Sequence, residues 1–198
     1  MEGEHEPLAV LKTFRPTEID RKIAQNILPY IVDGATLQLG IGSMPNAVGE
    51  LIAESDLKDL GMHTELCSDA YLSMYRAGKL TNRKKKIDRG KGVFGCAIGS
   101  PELYEWVDDN HGVAAYPLEY VNRPSVIAQI DNMVSINSCV SVDLYGQVAA
   151  ESSGSRQISG TGGQLDFLIG ASASRGGKAF ICMSSVYRDK EGVYHSRI

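Results

Sequence analysis

A chain of 198 residues, 43% hydrophobic and 22% charged, has the composition of a soluble globular protein and is long enough for one sizeable core. Its net charge of −4 and pI near 5.6 give no electrostatic case for a nucleic-acid partner. Met1-Glu2-Gly3-Glu4-His5-Glu6 lacks the basic start and apolar stretch of a signal peptide, and no apolar run is long enough to span a bilayer, so a soluble, cytoplasmic protein is expected.

Residues 1–15 read as a tail or linker. Thr17 is placed to cap a helix running to about Val32, with Ile19, Ile23, Ile27, Leu28 and Ile31 on one face, and Asp33-Gly34 ends it. Ala35 to Ile41 reads as a buried strand leading into a glycine turn, and Pro45 suits the first position of a helix from Asn46 to about Ala53. Met62 to Cys67 reads as a strand, Asp69 to about Ala77 as a helix, Gly92 to Ile98 as a strand and Pro101 to Asp109 as a helix. Val113 to Leu118 is a further strand, followed by a short helix from Pro124. Met133 to Val142 and Gln147 to Glu151 flank the turn Asp143-Leu144-Tyr145-Gly146 and predict a β-hairpin. A helix from Leu165 to Ser174, a strand from Lys178 to Val186 and a last short strand after Asp189-Lys190-Glu191-Gly192 complete the pattern. The alternation predicts an α/β fold, a mainly parallel open sheet with an inserted hairpin. His195-Ser196-Arg197-Ile198 lies inside an apparent strand, which reads as a truncation of the domain at its C-terminus.

Several common chemistries lack their residues. Gly40-Ile41-Gly42-Ser43-Met44-Pro45 follows a strand but has proline where a dinucleotide fingerprint requires glycine. There is no GxxxxGK[ST] loop, and neither Ser43 nor Ser155 sits in a GxSxG elbow. Cys67, Cys96, Cys139 and Cys182 are far apart, without CxxC or Cys/His spacing, so buried reduced thiols are expected and no metal site. The four histidines show neither triad nor metal logic; His63 has packing or a local hydrogen bond as its expected role. The basic run Arg83-Lys84-Lys85-Lys86 reads as a solvated turn, with a dock for an anionic ligand tail as the alternative.

What remains is a pair of glycine turns with a carboxylate between them. The strand before Gly40-Ile41-Gly42-Ser43-Met44 and the helix after it would offer unpaired N–H groups and a positive dipole end to an anion. Ser159-Gly160-Thr161-Gly162-Gly163 precedes another helix in the same way, and Glu65 lies on the strand His63-Thr64-Glu65. Taken alone, Glu65 reads first as an ion pair at a sheet edge, with a nucleophile for an activated acyl group as the alternative. Glu151, Asp143 and Asp166 are rival carboxylates: Asp143 suits a turn opening, Asp166 a helix start, and Glu151 stays open as a second nucleophile.

Seven segments in order carry a resemblance: Leu37–Gly42, His63-Thr64-Glu65, Ser68-Asp69, Leu80-Thr81-Asn82, Val134–Ser138, Val142–Gln147 and Arg156–Phe167. Together they resemble the acetyl-CoA hydrolase/transferase branch of the family I CoA-transferases, from about Pro16 to the end. The resemblance implies a fold of two similar α/β halves, of which residues 16–198 match the C-terminal, catalytic half, the N-terminal half being absent. It implies transfer of CoA between a short-chain acyl-CoA and a carboxylate of the acetate, butyrate and 4-hydroxybutyrate class, with coenzyme A as co-substrate and no permanently bound cofactor or metal. By match to the HTE segment Glu65 becomes the catalytic residue, attacking the thioester and later carrying CoA as a glutamyl thioester. Gly40, Ile41, Gly42, Ser43 and Met44 become one CoA-binding backbone clamp, and Gly162 and Gly163 the other. A glutamate is ionised at neutral pH and needs no general base, which suits a chain without a well-placed histidine. Where relatives tend to have a glutamate before the Val-Asp of the hairpin, this chain has Ser141. The open alternatives are an acyl-CoA hydrolase and a non-catalytic CoA-binding fragment. The expected partners are acyl-CoA, a carboxylate and either a second copy of the chain or the missing half, and alone the chain should be a weak enzyme.

Overall fold

The computed structural model describes residues 8–11 and 15–198. Of the expected tail, residues 8–11 lie against the domain, where Leu11 N–H donates to Gly99 O at 3.2 Å and Tyr104 hydroxyl to Ala9 O at 2.6 Å.

The first helix, α1 (Glu18–Ile27), begins with a reciprocal cap: Thr17 Oγ1 accepts from Asp20 N–H while the Asp20 carboxylate accepts from Thr17 N–H. A 3₁₀ turn at Leu28–Tyr30, with Pro29 in it, closes the segment. Then follow β1 (Thr36–Leu39), α2 (Ser43–Glu54), β2 (Gly61–Cys67), α3 (Asp69–Arg76), β3 (Gly92–Ala97), α4 (Pro101–Val107) and β4 (Val113–Ala115). Two single-turn helices, α5 (Leu118–Val121) and α6 (Pro124–Ile127), lead to β5 (Met133–Ser138). Short hairpins pair β6 (Ser141–Val142) with β7 (Val148–Ala149) and β8 (Ser152–Ser153) with β9 (Arg156–Gln157). The chain continues through α7 (Gln164–Ala173), β10 (Lys178–Cys182) and the hairpin of β11 (Val186–Arg188) with β12 (Tyr194–Ser196).

Six strands form one sheet in the order β10-β5-β1-β2-β3-β4, and every pairing in it is parallel. Alternation along the strands divides the core between the two faces. Leu37, Leu39, Met62, Val134 and Ile136 pack with α1 to α4, while Val93 and Met133 pack with Val121, Ile127, Phe167 and Ala171 of α5 to α7. The chain leaves β1 through β2, β3 and β4 on one side and returns to its other side as β5. The reversal puts the loop after β1 at the switch point of an open sheet, where crevices form outside the carboxyl ends of strands.

Several expected boundaries move. Met133–Val142 is not one hairpin arm: β5 is an inner parallel strand, paired with β1 from Thr36↔Met133 to Leu39↔Ile136, and only Ser141–Val142 enters the hairpin. The expected strand Val113–Leu118 stops at Ala115, because Pro117 caps α5. Lys178–Val186 likewise breaks after Cys182. Helix α2 starts at Ser43 rather than Asn46, since Gly42 at φ +122° turns the chain directly from the strand into the helix. Of the cysteines, Cys67 and Cys139 are buried, Cys182 is half-buried and Cys96 is exposed. The basic run is not a uniformly solvated turn, since Lys85 is 3% exposed and donates to Met62 O and Lys91 O at 3.0 and 2.7 Å. Burial of that ammonium lowers its pKa to about 8.

Candidate active site

On β2, residues two apart share a face, so His63 and Glu65 both point toward α5 and α7. Glu65 is half-buried, and its Oε2 accepts the Gly163 N–H at 2.7 Å across 98 positions of sequence. Gly163 is the residue before α7, so this donor belongs to the positive end of a ten-residue helix. A Cβ at Gly163 would overlap Glu65 Oε2 and stand 2.5 Å from Asn122 Nδ2, and only glycine allows so close an approach. A Cβ at Gly162 would lie 3.8 Å from the same carboxylate oxygen. The Cys96 thiol donates to the Glu65 backbone carbonyl at 3.6 Å.

Asn122 completes this cluster. Its amide nitrogen abuts Gly163, and its Oδ1 is buried without a hydrogen-bond partner among the described residues. Nothing in the sequence marked it. It stands in the segment between Leu118 and Pro124, where no periodic pattern assigns a face, and only the turn from α5 into α6 carries it to Glu65. Beneath the cluster His63 is fully buried, with Nε2 2.9 Å from Val121 O. Burial lowers its pKa to about 4, so the ring is neutral near pH 7. Its expected role in packing and a local hydrogen bond is what the contacts show.

The other glycine turn stands apart from the carboxylate. Gly40 N–H donates to Ile136 O at 2.8 Å, and the Asn137 side chain crowds Gly40, fixing the turn to β5. Gly40 follows β1, and Glu65 lies toward the end of the parallel neighbour β2, so both stand at the same end of the sheet. No hydrogen bond joins the two among the described residues. Instead Ile41, Gly42, Ser43 and Met44 line a groove of about 650 Å³, with Asp20, Arg188 and Arg197 also in its lining. Gly162 borders a different groove of about 450 Å³, with Leu165, Leu168 and Ile181 among its lining. The structure thus brings Glu65, Gly162 and Gly163 together and sets Gly40–Met44 beside them at the same end of the sheet.

The rival carboxylates have local duties. Asp143 Oδ1 accepts from the N–H groups of Tyr145 and Gln147, opening the β6–β7 turn. Asp166 lies in the first turn of α7. Glu151 Oε2 accepts from Thr161 Oγ1 at 3.2 Å, tying the second hairpin to the glycine turn.

The parallel α/β sheet thus places a carboxylate near the carboxyl end of a strand, in the crevice where open sheets of this kind take ligands, with a backbone N–H from a glycine-led helix aimed at it. Residues 99–198 match the family model of the acetyl-CoA hydrolase/transferase C-terminal domain, and the chain belongs to that family. It is 51% identical over 199 residues to a butyryl-CoA:acetate CoA-transferase of Anaerostipes caccae, a match covering 100% of this chain and 45% of that protein. The solved structure of RipA from Yersinia pestis superposes with a TM-score of 0.89 at 39% identity, covering 98% of this chain and 43% of that one. That of a 4-hydroxybutyrate CoA-transferase from Porphyromonas gingivalis has a TM-score of 0.82 at 39% identity, over 97% and 44%. The chain therefore spans less than half the length of the relatives it matches.

Proposed function

We propose that this chain is the catalytic half of a CoA-transferase that moves CoA between a short-chain acyl-CoA and a free carboxylate, with Glu65 as the nucleophile. Relatives named for butyrate, acetate and 4-hydroxybutyrate support that substrate class. The observation that carries the reading is the 2.7 Å bond from Gly163 N–H to Glu65 Oε2.

A Glu65 carboxylate oxygen attacks the thioester carbonyl carbon, the C–S bond breaks, and CoA thiolate leaves behind a mixed acyl-glutamyl anhydride. The thiolate then attacks the Glu65 carbonyl carbon, expels the acyl group as a free carboxylate and leaves a glutamyl-CoA thioester. An incoming carboxylate reverses both steps and departs as the new acyl-CoA. In the second step negative charge gathers on a Glu65 oxygen, and Gly163 N–H is already aimed at one. A donor set before the charge develops costs no reorganisation when it does. The Ile41 N–H, on the loop after β1 at the same end of the sheet, serves as the companion donor toward the thioester.

Gly40–Met44, and the groove that Ile41 to Met44 line together with Arg188 and Arg197, then receive CoA itself at the start of a 12-residue helix. Coenzyme A is a co-substrate here, not a resident group. The described helices include none long and apolar enough to cross a membrane, and we place the reaction in the cytoplasm. The active assembly includes the half that relatives carry besides the matched one, or a second copy of the chain.

Incubating the complete protein with butyryl-CoA, reducing with borohydride and mapping peptides by mass should find the modification on Glu65. Modification of Glu151, or none in a protein that turns over, would sink the assignment. Release of free butyrate at full rate without an acceptor carboxylate would identify a hydrolase instead.

A further inference from the structure

We infer that His63 is a positioning residue that holds Asn122 and Gly163 in place around Glu65, an inference that rests on reading Glu65 as the nucleophile. The imidazole reaches all three elements that meet at the carboxylate. It stands on β2 two residues before Glu65 and on the same face. Its Nε2 lies 2.9 Å from the carbonyl of Val121, the last residue of α5, and the next residue is Asn122. Its ring centroid lies 6.2 Å from that of Phe167, whose N–H closes the first turn of α7 on Gly163 O at 3.0 Å. A third contact, 6.4 Å between ring centroids, is with Tyr120, itself bonded through its hydroxyl to Asp88. None of the His63 hydrogen bonds goes to Glu65, so the ring acts through its neighbours.

The tautomer follows from the partner. A carbonyl oxygen only accepts, so Nε2 carries the proton and a neutral ring leaves Nδ1 bare. That nitrogen is buried and unpartnered among the described residues. An apolar side chain would fill the same space without leaving a lone pair unpaired, at lower cost to folding. What the imidazole adds is a donor to Val121 O, which fixes where α5 ends and therefore where the Asn122 amide stands against Gly163.

Nitrogen-15 NMR of the 198-residue chain tests this, with His63→Gln, whose amide keeps a donor near the Nε2 position, and His63→Leu, which has none. The Gly163 amide should exchange about tenfold faster in the Leu variant, the effect of losing one ordinary hydrogen bond from a local closed state, and stay near its original rate in the Gln variant. Amides of Leu37 and Val134, in the other core, should exchange unchanged in both. Unaltered Gly163 exchange in the Leu variant, equal loss in both variants, or parallel acceleration at Leu37 and Val134 would overturn the inference. Should the Leu variant not fold, the ring nitrogens of the unsubstituted chain decide. A neutral ring protonated at Nε2 supports the inference, and the Nδ1-protonated form or a cationic ring at pH 7 refutes it. No arm involves acyl-CoA, so failure here leaves the peptide-mapping test of Glu65 intact, and the converse holds.

Discussion

Between the Glu65 carboxylate and the Asn122 amide there is room for a hydrogen atom at position 163 and nothing larger. Gly163 has φ −78° and ψ 3°, values open to any residue, so its requirement is steric rather than conformational. Gly163→Val should therefore leave circular dichroism unchanged while its side chain displaces Glu65 or Asn122. Turnover of the complete protein should fall by roughly two to three orders of magnitude, the scale of losing one oxyanion donor. Near-normal turnover would remove this turn from the site. Glu65→Ala should abolish transfer. Glu65→Asp withdraws the carboxylate from Gly163 N–H by about one ångström, and a displacement of that size costs roughly a hundredfold in rate, measurable as kcat. Retention of most activity by the aspartate variant would argue for a looser role. The sequence made Glu65 and Gly163 visible as types: a lone carboxylate on a strand and a glycine before a helix. That they touch could not be read from positions 98 apart.

At the scale of elements, α7 is held where it must be for Gly163 to reach β2. Its Gly170 lies against α6, where a Cβ would come within 2.5 Å of Ile127 Cβ and 3.2 Å of Pro124 O. Gly170→Leu should force the two helices apart and cost about 1–3 kcal/mol of stability, the range for overpacking a tight contact. Urea unfolding measures that loss, and because α7 begins at Gly163 the variant should also lose turnover. Stability equal to the unsubstituted chain would show that the α6–α7 contact yields without strain. Elements with a strong local signal are those the sequence located well: the Thr17 cap, the Gly40–Gly42 turn before α2 and the alternation of strand and helix. The breaks at Ala115, Ser138 and Cys182 escaped because apolar residues continue past each one. There the pairing partner decides where a strand ends: β5 stops with its register to β1 and β10, and β6 belongs to a separate hairpin.

For the molecule as a whole, burial of two ionisable groups shapes its response to pH. His63 has a pKa near 4 when folded and about 6.5 when unfolded, so its contribution is full above 6.5 and is lost as pH falls toward 4. Lys85, near 8 when folded and about 10.5 when unfolded, contributes fully only above 10.5 and loses that contribution on the way down to 8. Below 8 the lysine is charged in both states and adds no slope, so the histidine acts alone of the two on the acid side. Urea titrations should show stability dropping by about 1 kcal/mol per pH unit from this one group between pH 6 and 4.5, and His63→Gln should remove that share of the slope. An unchanged slope in the variant would mean that the ring takes up its proton as readily in the folded chain as in the unfolded one. By itself the sequence determined the α/β class, the parallel sheet and the family, because each is written in local signals: periodicity, glycine and proline punctuation, and short motifs in order. Tertiary structure alone decided that Gly163 binds Glu65 while Ile41 to Met44 line a neighbouring groove, that Asn122 joins the site, and that Lys85 leaves water. Those outcomes depend on strand order and on how α5 and α7 cross one face of the sheet, and contacts made across tens of residues leave no periodic trace along the chain.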